Sequence, residues 1–248
     1  GYRVFLERTH PDDDEGAICV VMAGDAQMDP HDLPMLLDPI LSKGAGYTKG
    51  NRLLTHDVRE VMPKTRYVGN MAFSVLTKMA SGYWHVMDSQ CGYTAITREA
   101  LARVDLSRVY ARYGFPNDFL VRLNVVGVAV ADVPVRAIYG EEKSGIKPWK
   151  VIPTISMLLL RGFAMRMWRK YVLKDFHPLV LLYFFGFALA FLGLAFGAWI
   201  VFLRVVEQSV ATPATVILCA LFLIVGLQSV FFAMMFDMLV NNDLRVRS

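Results

Sequence analysis

The stretch Val21–Pro30, "VMAGDAQMDP", joins an apolar run to a cluster of acidic and amide residues. The run "AICVVMAG" (17–24) is rich in β-branched residues and closed by glycine, which predicts a buried strand of a mostly parallel sheet. Ligands of open α/β sheets lie beyond the carboxyl ends of the strands, so Asp25 and Gln27 are predicted to project oxygen atoms into such a crevice. Alternatively, Asp25 and Asp29 are turn and helix-cap residues. These ten residues leave both interpretations open.

The residues around this stretch alternate between helix and strand patterns. The opening residues predict the end of a helix followed by an acidic loop, and later patterns predict helices near 32–42 and 65–80. One further helix is expected to begin at Thr97 and another to be entered through Pro116. The segments "AGYTKGN", "YTAIT" and "VAVADVPVRAIY" are typical of strands. Alternation of this kind predicts a wound α/β sheet.

The composition indicates two different parts. Of the 248 residues, 55% are hydrophobic and 19% are charged, which is too apolar for an ordinary soluble domain and too charged for a pure membrane bundle. Pro178–Leu203 carries no charge and exceeds the roughly 20 residues that a bilayer core requires. Pro213–Val240 is interrupted only by Gln228 and by Asp237 near its end. We therefore predict a transmembrane hairpin over residues 178–240.

Positive charge is distributed unevenly around the hairpin. Short loops rich in Lys and Arg stay in the cytoplasm, which predicts a multi-pass protein of the cell membrane with both ends and the α/β part cytoplasmic. The net charge of +4 is concentrated beside the apolar stretches, and this favours anionic lipid headgroups over nucleic acid as a partner. Between the two apolar stretches the only basic residue is Arg204. The basic residues that flank the stretches are Lys143, Lys147, Lys150, Arg161, Arg166, Arg169, Lys170, Lys174, Arg245 and Arg247.

The segment before the hairpin mixes apolar and basic residues. In "PWKVIPTISMLLLRGFAMRMWRKYVLK" (148–174) these residues recur at helical spacing, with Trp149 and Trp168 near the two ends. Such a helix is predicted to lie in the membrane interface. The alternative is an amphipathic helix packed on the soluble domain. Its position directly before a span favours the interface.

Six motifs in a fixed order carry a resemblance to a known family. They are "VMAGDAQMDP", "KGNRLL", "MPKTRYVGN", "DSQCGYTAI", "GFPNDFLVRLN" and "EEKSGIK". In this order, before a membrane hairpin, they resemble the family-two glycosyltransferases of GT-A fold that load a sugar onto a polyprenyl phosphate, such as dolichyl-phosphate mannose synthase. The resemblance implies a Rossmann-like GT-A domain over 1–147, an interfacial region over 148–177, the hairpin over 178–240 and a cytoplasmic tail over 241–248. It also implies that the family's first strands, which grip the nucleotide base, precede Gly1.

The resemblance implies a divalent cation. Members of the family read D-x-D-x-Q at the first strand end, where the oxygens hold the cation against the diphosphate of the sugar nucleotide. Asp25 matches the second aspartate and Gln27 the glutamine, while Ala23 stands in place of the first aspartate. Mg²⁺ keeps several waters and commonly needs only one or two carboxylates beside substrate phosphates. We therefore expect Mg²⁺ or Mn²⁺ on Asp25 and Gln27.

The other motifs imply binding and catalytic residues. Asp118 matches an acidic position near the acceptor and is expected to be catalytic, either by orienting the acceptor or by stabilising positive charge on the sugar ring. The alternative role is a first-turn helix carboxylate. Gln90, with Asp88, is expected to shape the sugar pocket on the donor side. Solvation at the surface is the alternative for each lysine, whereas a planar guanidinium suits phosphate. The residues implied in binding the acceptor phosphate are Arg52, Arg66, Lys49, Ser144 and Lys147.

The implied reaction transfers a sugar from a nucleotide sugar to a polyprenyl phosphate by a single displacement with inversion. One rival is a processive polysaccharide synthase of the same fold, but "LLRGFAMRMWRK" lacks the glutamine of the Q-x-x-R-W motif that such enzymes carry. Another rival is a catalytically dead membrane scaffold, suggested by Ala23. Association into a homo-oligomer through the membrane helices is a further expectation. The three cysteines and five histidines show no spacing typical of a disulfide framework or a metal site.

Overall fold

The computed structural model describes residues 1–10, 16–24, 27–54, 64–136, 138 and 148–246, without the side chains of 64–70, 72 and 148–151. The chain divides into two compact units, and each is described by itself. The first unit comprises 1–168 and 241–248, and the second comprises 169–240.

A five-stranded sheet forms the centre of the first unit. Its strands are β1 (Ile18–Val21), β2 (Tyr47–Asn51), β3 (Thr94–Thr97), β4 (Val130–Pro134) and β5 (Arg245–Val246), in the order β1-β3-β2-β4-β5. The strands β2, β4 and β5 are parallel, whereas β3 runs antiparallel to both β1 and β2. The expected α/β fold is confirmed. The expectation of a mostly parallel sheet is wrong, because β3 enters between β1 and β2 in the reverse direction.

The strand β1 corrects a second expectation. The run "AICVVMAG" predicts a fully buried strand, but Val20 and Val21 are 38% and 40% exposed. Among the described strands β1 pairs only with β3, so it lies at the edge of the sheet. An apolar run therefore identified the strand correctly but not its position in the sheet.

Six helices surround this sheet in the described part of the first unit: α1 (Tyr2–Arg8), α2 (Leu33–Lys43), α3 (Lys64–Ser81), α4 (Arg98–Ala102), α5 (Phe115–Val125) and α6 (Pro148–Trp168). Their starts follow the local signals. The Thr97 hydroxyl accepts a hydrogen bond from the Ala100 backbone N–H at 3.1 Å and caps α4. Pro116 lies in the first turn of α5, where its missing N–H removes no helical hydrogen bond.

The core lies on both faces of the sheet. Ile96 and Val130 contribute to one cluster with Phe119 of α5, and Ala95 and Ala131, one residue earlier or later, to a second cluster. Successive strand residues point to opposite faces, which explains this division. The second cluster also contains Leu36 of α2 and Cys91. Helices therefore cover both faces of the sheet.

Helix α6 packs on the first unit. Ile155 and Leu159 form a cluster with Ala80 of α3 and Val121 of α5. The structure thus shows the packing that the sequence offered as the alternative to an interfacial helix. The other side of α6 is also apolar, and it exposes Ile152, Met157, Leu160 and Trp168. Interfacial placement stays a prediction, which concerns this exposed side.

A buried arginine fastens α6 to the end of α3. The Arg166 side chain is fully buried, and it donates hydrogen bonds to the carbonyl oxygens of Met79 and Ala80 at 2.8 and 2.9 Å. Cations near a helix C-terminus satisfy its last carbonyls. Gly82 follows with φ +78°, and a Cβ there would lie 2.5 Å from Arg166 Nη1. Glycine therefore serves both the left-handed backbone and the close approach of the guanidinium.

The second unit contains two long apolar helices. After a π-helical segment over Arg169–Lys174, α7 (Leu179–Val205) and α8 (Pro213–Val240) are each long and apolar enough to cross a membrane. They pack closely at glycines, since a Cβ on Gly226 would lie 2.5 Å from the backbone nitrogen of Ala190. This confirms the expected pair of apolar helices.

The residues after α8 belong to the first unit. Arg245 and Val246 pair in parallel with Val130 and Ala131, and they form β5. Just before them, the Asn124 amide donates to Asn241 Oδ1 at 2.8 Å. The sequence predicts a tail over 241–248, whereas the structure shows that this segment adds a strand to the sheet.

Candidate active site

Polar side chains gather at the carboxyl ends of β2 and β4 and in the segment 84–93 that leads into β3. The carboxyl ends of these two parallel strands lie at the same edge of the sheet. The structure brings four of the predicted site residues together at this edge: Lys49, Arg52, Asp88 and Gln90.

Arg52 and Asp88 form a buried ion pair. The guanidinium donates from Nε to Asp88 Oδ2 at 2.7 Å and from Nη2 to Asp88 Oδ1 at 3.2 Å. The two side chains are only 8% and 2% exposed. Asp88 also accepts from the backbone N–H groups of Arg52 and Gln90, at 3.3 and 3.2 Å. This pair fixes the start of the segment 88–91, and the predicted contact of Arg52 with phosphate stays a prediction.

Lys49 fixes the end of the same segment. Its ammonium group is fully buried and donates to the Cys91 carbonyl oxygen at 2.7 Å. Burial lowers the pKa of Lys49, because the charged form loses hydration. The alternative of a lysine solvated at the surface is wrong for this residue. Its predicted contact with phosphate stays a prediction.

Asn51 and Asp132 form a polar contact that the sequence reasoning missed. Asn51 Nδ2 and the Met87 backbone N–H both donate to Asp132 Oδ2. Asp132 Oδ1 is buried and has no hydrogen-bond partner within the described residues. Burial raises the pKa of Asp132 to about 6. The available signal was an acidic residue in the middle of the apolar pattern "VAVADVPV".

Gln90 connects the segment to helix α5. Its side-chain Nε2 donates to Asn117 Oδ1 at 3.0 Å and to Ser89 Oγ at 3.2 Å. The Thr77 hydroxyl of α3 donates to the same Asn117 oxygen at 3.4 Å. Asn117 lies in the first turn of α5 and is fully buried. The orientation of Gln90 is therefore set by Asn117 of α5 and by Ser89.

Asp118 is engaged beside this network. It is buried, and its Oδ2 accepts from Arg122 Nε at 2.7 Å and from the Tyr110 backbone N–H at 2.9 Å. These contacts correspond to the first-turn carboxylate that the sequence offered as an alternative. A role for Asp118 at the acceptor stays a prediction.

The end of β1 is described in part. The Gln27 carbonyl oxygen accepts from the Ile138 backbone N–H at 3.0 Å. Asp29 caps the following 3₁₀ turn, because its Oδ1 accepts from the His31 backbone N–H at 2.9 Å. It also pairs with Arg136 at 3.0 Å. The cap interpretation is thus confirmed for Asp29.

The remaining predicted residues fall outside what the structure describes. Asp25, Ser144 and Lys147 lie outside the described residues, and Arg66 belongs to α3 without a described side chain. Within the described ranges, no group of three or more His, Cys, Asp or Glu residues could hold a metal ion. The predicted cation site on Asp25 and Gln27 stays a prediction.

Two curated proteins are similar to half of this chain, although no family model matches it. An uncharacterized protein of Methanocaldococcus jannaschii is 27% identical over 124 residues, which cover 50% of this chain and 51% of that protein. A UDP-N-acetylglucosamine–dolichyl-phosphate N-acetylglucosaminyltransferase of Methanococcus voltae is 30% identical over 124 residues, which cover 50% of this chain and 49% of the enzyme. The chain spans about half the length of these curated relatives.

Solved structures of glucosyl-3-phosphoglycerate synthase from Mycobacterium tuberculosis are also similar. The complex with UDP superposes with a TM-score of 0.44 at 18% identity, over 66% of this chain and 52% of that chain. The complex with Mn²⁺ and UDP-glucose gives a TM-score of 0.42 at 19% identity, over the same shares.

Proposed function

We propose that this chain belongs to a membrane-bound family-two GT-A glycosyltransferase that moves a sugar from a nucleotide sugar to a polyprenyl phosphate. The observation that carries the proposal is the similarity to the Methanococcus voltae enzyme over half of the chain. The ordered motifs and the two helices long enough to cross a membrane support it. A lipid acceptor requires an active site next to a bilayer, which such helices would provide.

The donor side of the proposed site centres on Asp25, Gln27 and Gln90. Asp25 and Gln27 would hold Mg²⁺ or Mn²⁺, whose oxygen preference matches these side chains. The cation would neutralise charge on the diphosphate leaving group. Gln90, held by its contacts with Asn117 and Ser89, would contact the sugar.

The acceptor side would consist of cations and an acidic residue. Arg66, Ser144 and Lys147 would bind the lipid phosphate, and charge-assisted hydrogen bonds of this kind are the strong ones. A phosphate monoester has a second pKa of about 6, so it is largely dianionic at neutral pH and attacks without a strong general base. Asp118 would orient the acceptor from the first turn of α5. We infer a single displacement that inverts the configuration of the sugar.

The described cations Lys49 and Arg52 would act by holding the segment 88–91. Arg52 anchors Asp88 and Lys49 anchors the Cys91 carbonyl, so Gln90 lies between two fixed points. Electrostatic catalysis depends on groups that are fixed before the reaction begins. These two cations therefore contribute order to the donor site.

We further propose that the first unit lies on the cytoplasmic face of the cell membrane and that the exposed side of α6 lies in the headgroup layer. A cysteine at Ser209, between α7 and α8, should react with a membrane-impermeant reagent outside intact cells, and a cysteine at Lys174 should not. The reverse pattern would contradict this topology. Crosslinking in membranes would test the expected homo-oligomer.

The transferase proposal is tested with purified protein that retains any natural sequence flanking residues 1–248. A series of UDP-, GDP- and dTDP-sugars that includes UDP-N-acetylglucosamine and UDP-glucose is incubated, one sugar at a time, with polyprenyl phosphate and Mg²⁺, and labelled sugar is measured in the lipid fraction. We expect one sugar per lipid, and Asp25→Asn should lower turnover by orders of magnitude. Polymeric product would indicate the processive synthase. No transfer from any nucleotide sugar would contradict the proposal and favour the scaffold.

A further inference from the structure

The Gln90 side chain is held in one place by contacts on both sides. The backbone N–H of Gln90 donates to Asp88 Oδ1. The carbonyl oxygen of the next residue, Cys91, accepts a hydrogen bond from the Lys49 ammonium group. The side-chain Nε2 of Gln90 then donates to Asn117 Oδ1 and Ser89 Oγ. A side-chain amide nitrogen has two N–H donors, so both donors of Gln90 are used.

The other end of the Gln90 amide remains available. Within the described residues its Oε1 accepts no hydrogen bond, and Gln90 is half-buried. This oxygen can only accept. We infer that Gln90 presents a hydrogen-bond acceptor to the donor sugar, and that Asn117 is the positioning residue that sets this polarity. The inference rests on the proposed function.

Asn117 determines which end of the Gln90 amide faces the protein, because Asn117 is buried and its oxygen accepts from the Gln90 amide nitrogen. Asn117 Oδ1 also lies 3.4 Å from the Thr77 hydroxyl, which lies equally close to Ser89 Oγ. The Asn117 Nδ2 is buried without a partner in the described part of the chain. If the Asn117 amide alone turned over, its N–H would face the N–H of Gln90. The two amides therefore keep their polarity together.

This polarity restricts the group that Gln90 can recognise. Phosphate oxygens of a diphosphate or a dianionic lipid phosphate are acceptors, so they cannot pair with Oε1. Sugar hydroxyls and an acetamido N–H are donors, and they can. A site built to pair with one substrate hydroxyl rejects an analogue that lacks it. Gln90 is thus a specificity determinant for the sugar.

The test compares sugar analogues in matched variants. The kcat/KM is measured for UDP-N-acetylglucosamine and its 3-, 4- and 6-deoxy analogues, or for the UDP-glucose series if the unmodified protein transfers that sugar instead. We expect one deoxy analogue to lose about tenfold in the unmodified protein, the effect of one hydrogen bond of about 1.4 kcal/mol. In Gln90→Ala the same analogue should lose less than about twofold, because the contact is already absent. Equal losses in both proteins would overturn the inference.

Two substitutions of Asn117 test the polarity. Aspartate offers only acceptor oxygens and can pair with Gln90 Nε2 only in the inferred orientation, so Asn117→Asp should keep the selectivity among the analogues. Asn117→Leu should lose it. If Asn117→Asp loses selectivity while Gln90→Ala behaves as expected, the opposite polarity is correct and the inference fails.

Asn124→Leu is the matched control. Asn124 is a second fully buried asparagine of α5, and its amide donates to Asn241 Oδ1, away from Gln90. It should lose stability without a change in analogue selectivity. If it changes selectivity as much as Asn117→Leu does, the effect is general loosening of α5 and the inference fails. Absence of transfer by the unmodified protein would instead contradict the proposed function.

Discussion

Two sets of cations, both expected from the sequence to meet anions, lie in opposite environments. Lys49, Arg52 and Arg166 are buried, and each contacts a carboxylate or backbone carbonyl of the protein itself. Arg161 and Arg169, near the end of α6, are exposed. The comparison shows that a basic residue within a predicted binding motif can form ion pairs and hydrogen bonds inside the protein. The exposed set is the one suited to lipid headgroups.

The largest expected effect concerns the buried ion pair. Arg52→Ala leaves the Asp88 carboxylate buried without its partner, and breaking such a pair costs about 3–5 kcal/mol. We expect the free energy of unfolding, measured by denaturant titration in detergent, to fall by about this amount. The double variant Arg52→Ala/Asp88→Asn should recover part of the loss, because no unpaired charge remains. If Arg52→Ala unfolds like the unmodified protein, the pair is not a buried structural contact.

A smaller loss is expected at the junction of α3 and α6. Arg166→Met keeps an apolar stem of similar length but leaves the Met79 and Ala80 carbonyls without their donor. Buried groups that lose their partners cost about 1–3 kcal/mol. The free energy of unfolding should fall within this range, and Arg166→Lys should lose less. Equal stability of Arg166→Met and the unmodified protein would contradict the capping role.

The buried carboxyl of Asp132 should make stability depend on pH. Its folded pKa of about 6 lies above the ordinary value of 3.8, so the folded protein binds more protons than the unfolded chain between these values. Its contribution is fully present below about pH 4 and is lost as pH rises towards about 6. Asp132→Asn should flatten this slope when unfolding is measured between pH 4 and 7. Parallel curves for the two proteins would refute the assignment.

The smallest effect is expected at the exposed side of α6. Arg161→Gln removes an exposed charge from the same helix as Arg166, and the described residues offer Arg161 no buried partner. Surface substitutions usually change stability by less than about 0.5 kcal/mol. The same denaturant titration should therefore hardly distinguish it from the unmodified protein. If Arg161→Gln lowered the free energy of unfolding as much as Arg166→Met, the distinction between buried and exposed cations would be wrong.

Local signals predicted most of the elements. The Thr97 cap and Pro116 in the first turn of α5 are each encoded within a few consecutive residues, and the two apolar helices are encoded by long apolar stretches. The direction of β3 was not predictable in this way, because a strand pattern carries no information about its neighbours. The strand β5 has two residues, too few for any periodicity.

The site was predicted only in its residue types. Gln90 was expected on the donor side by resemblance, but its contact with Asn117 joins residues 27 positions apart. Arg52 and Asp88 are separated by 36 positions, so their pairing depends on the fold. Asn117 itself was overlooked beside Asp118, because an uncharged side chain in an acidic motif gives no signal of its own. In the fold, Asn117 is fully buried and accepts the hydrogen bond that holds Gln90.

The strand β5 has a consequence for biosynthesis. A ribosome makes Arg245 and Val246 only after both apolar helices, so the sheet cannot be completed until α7 and α8 have been synthesised. During synthesis, the edge of β4 that pairs with β5 therefore stays unpaired until the two apolar helices have been made. A stop codon directly after Val240 would leave both helices intact and yet remove an edge from the sheet.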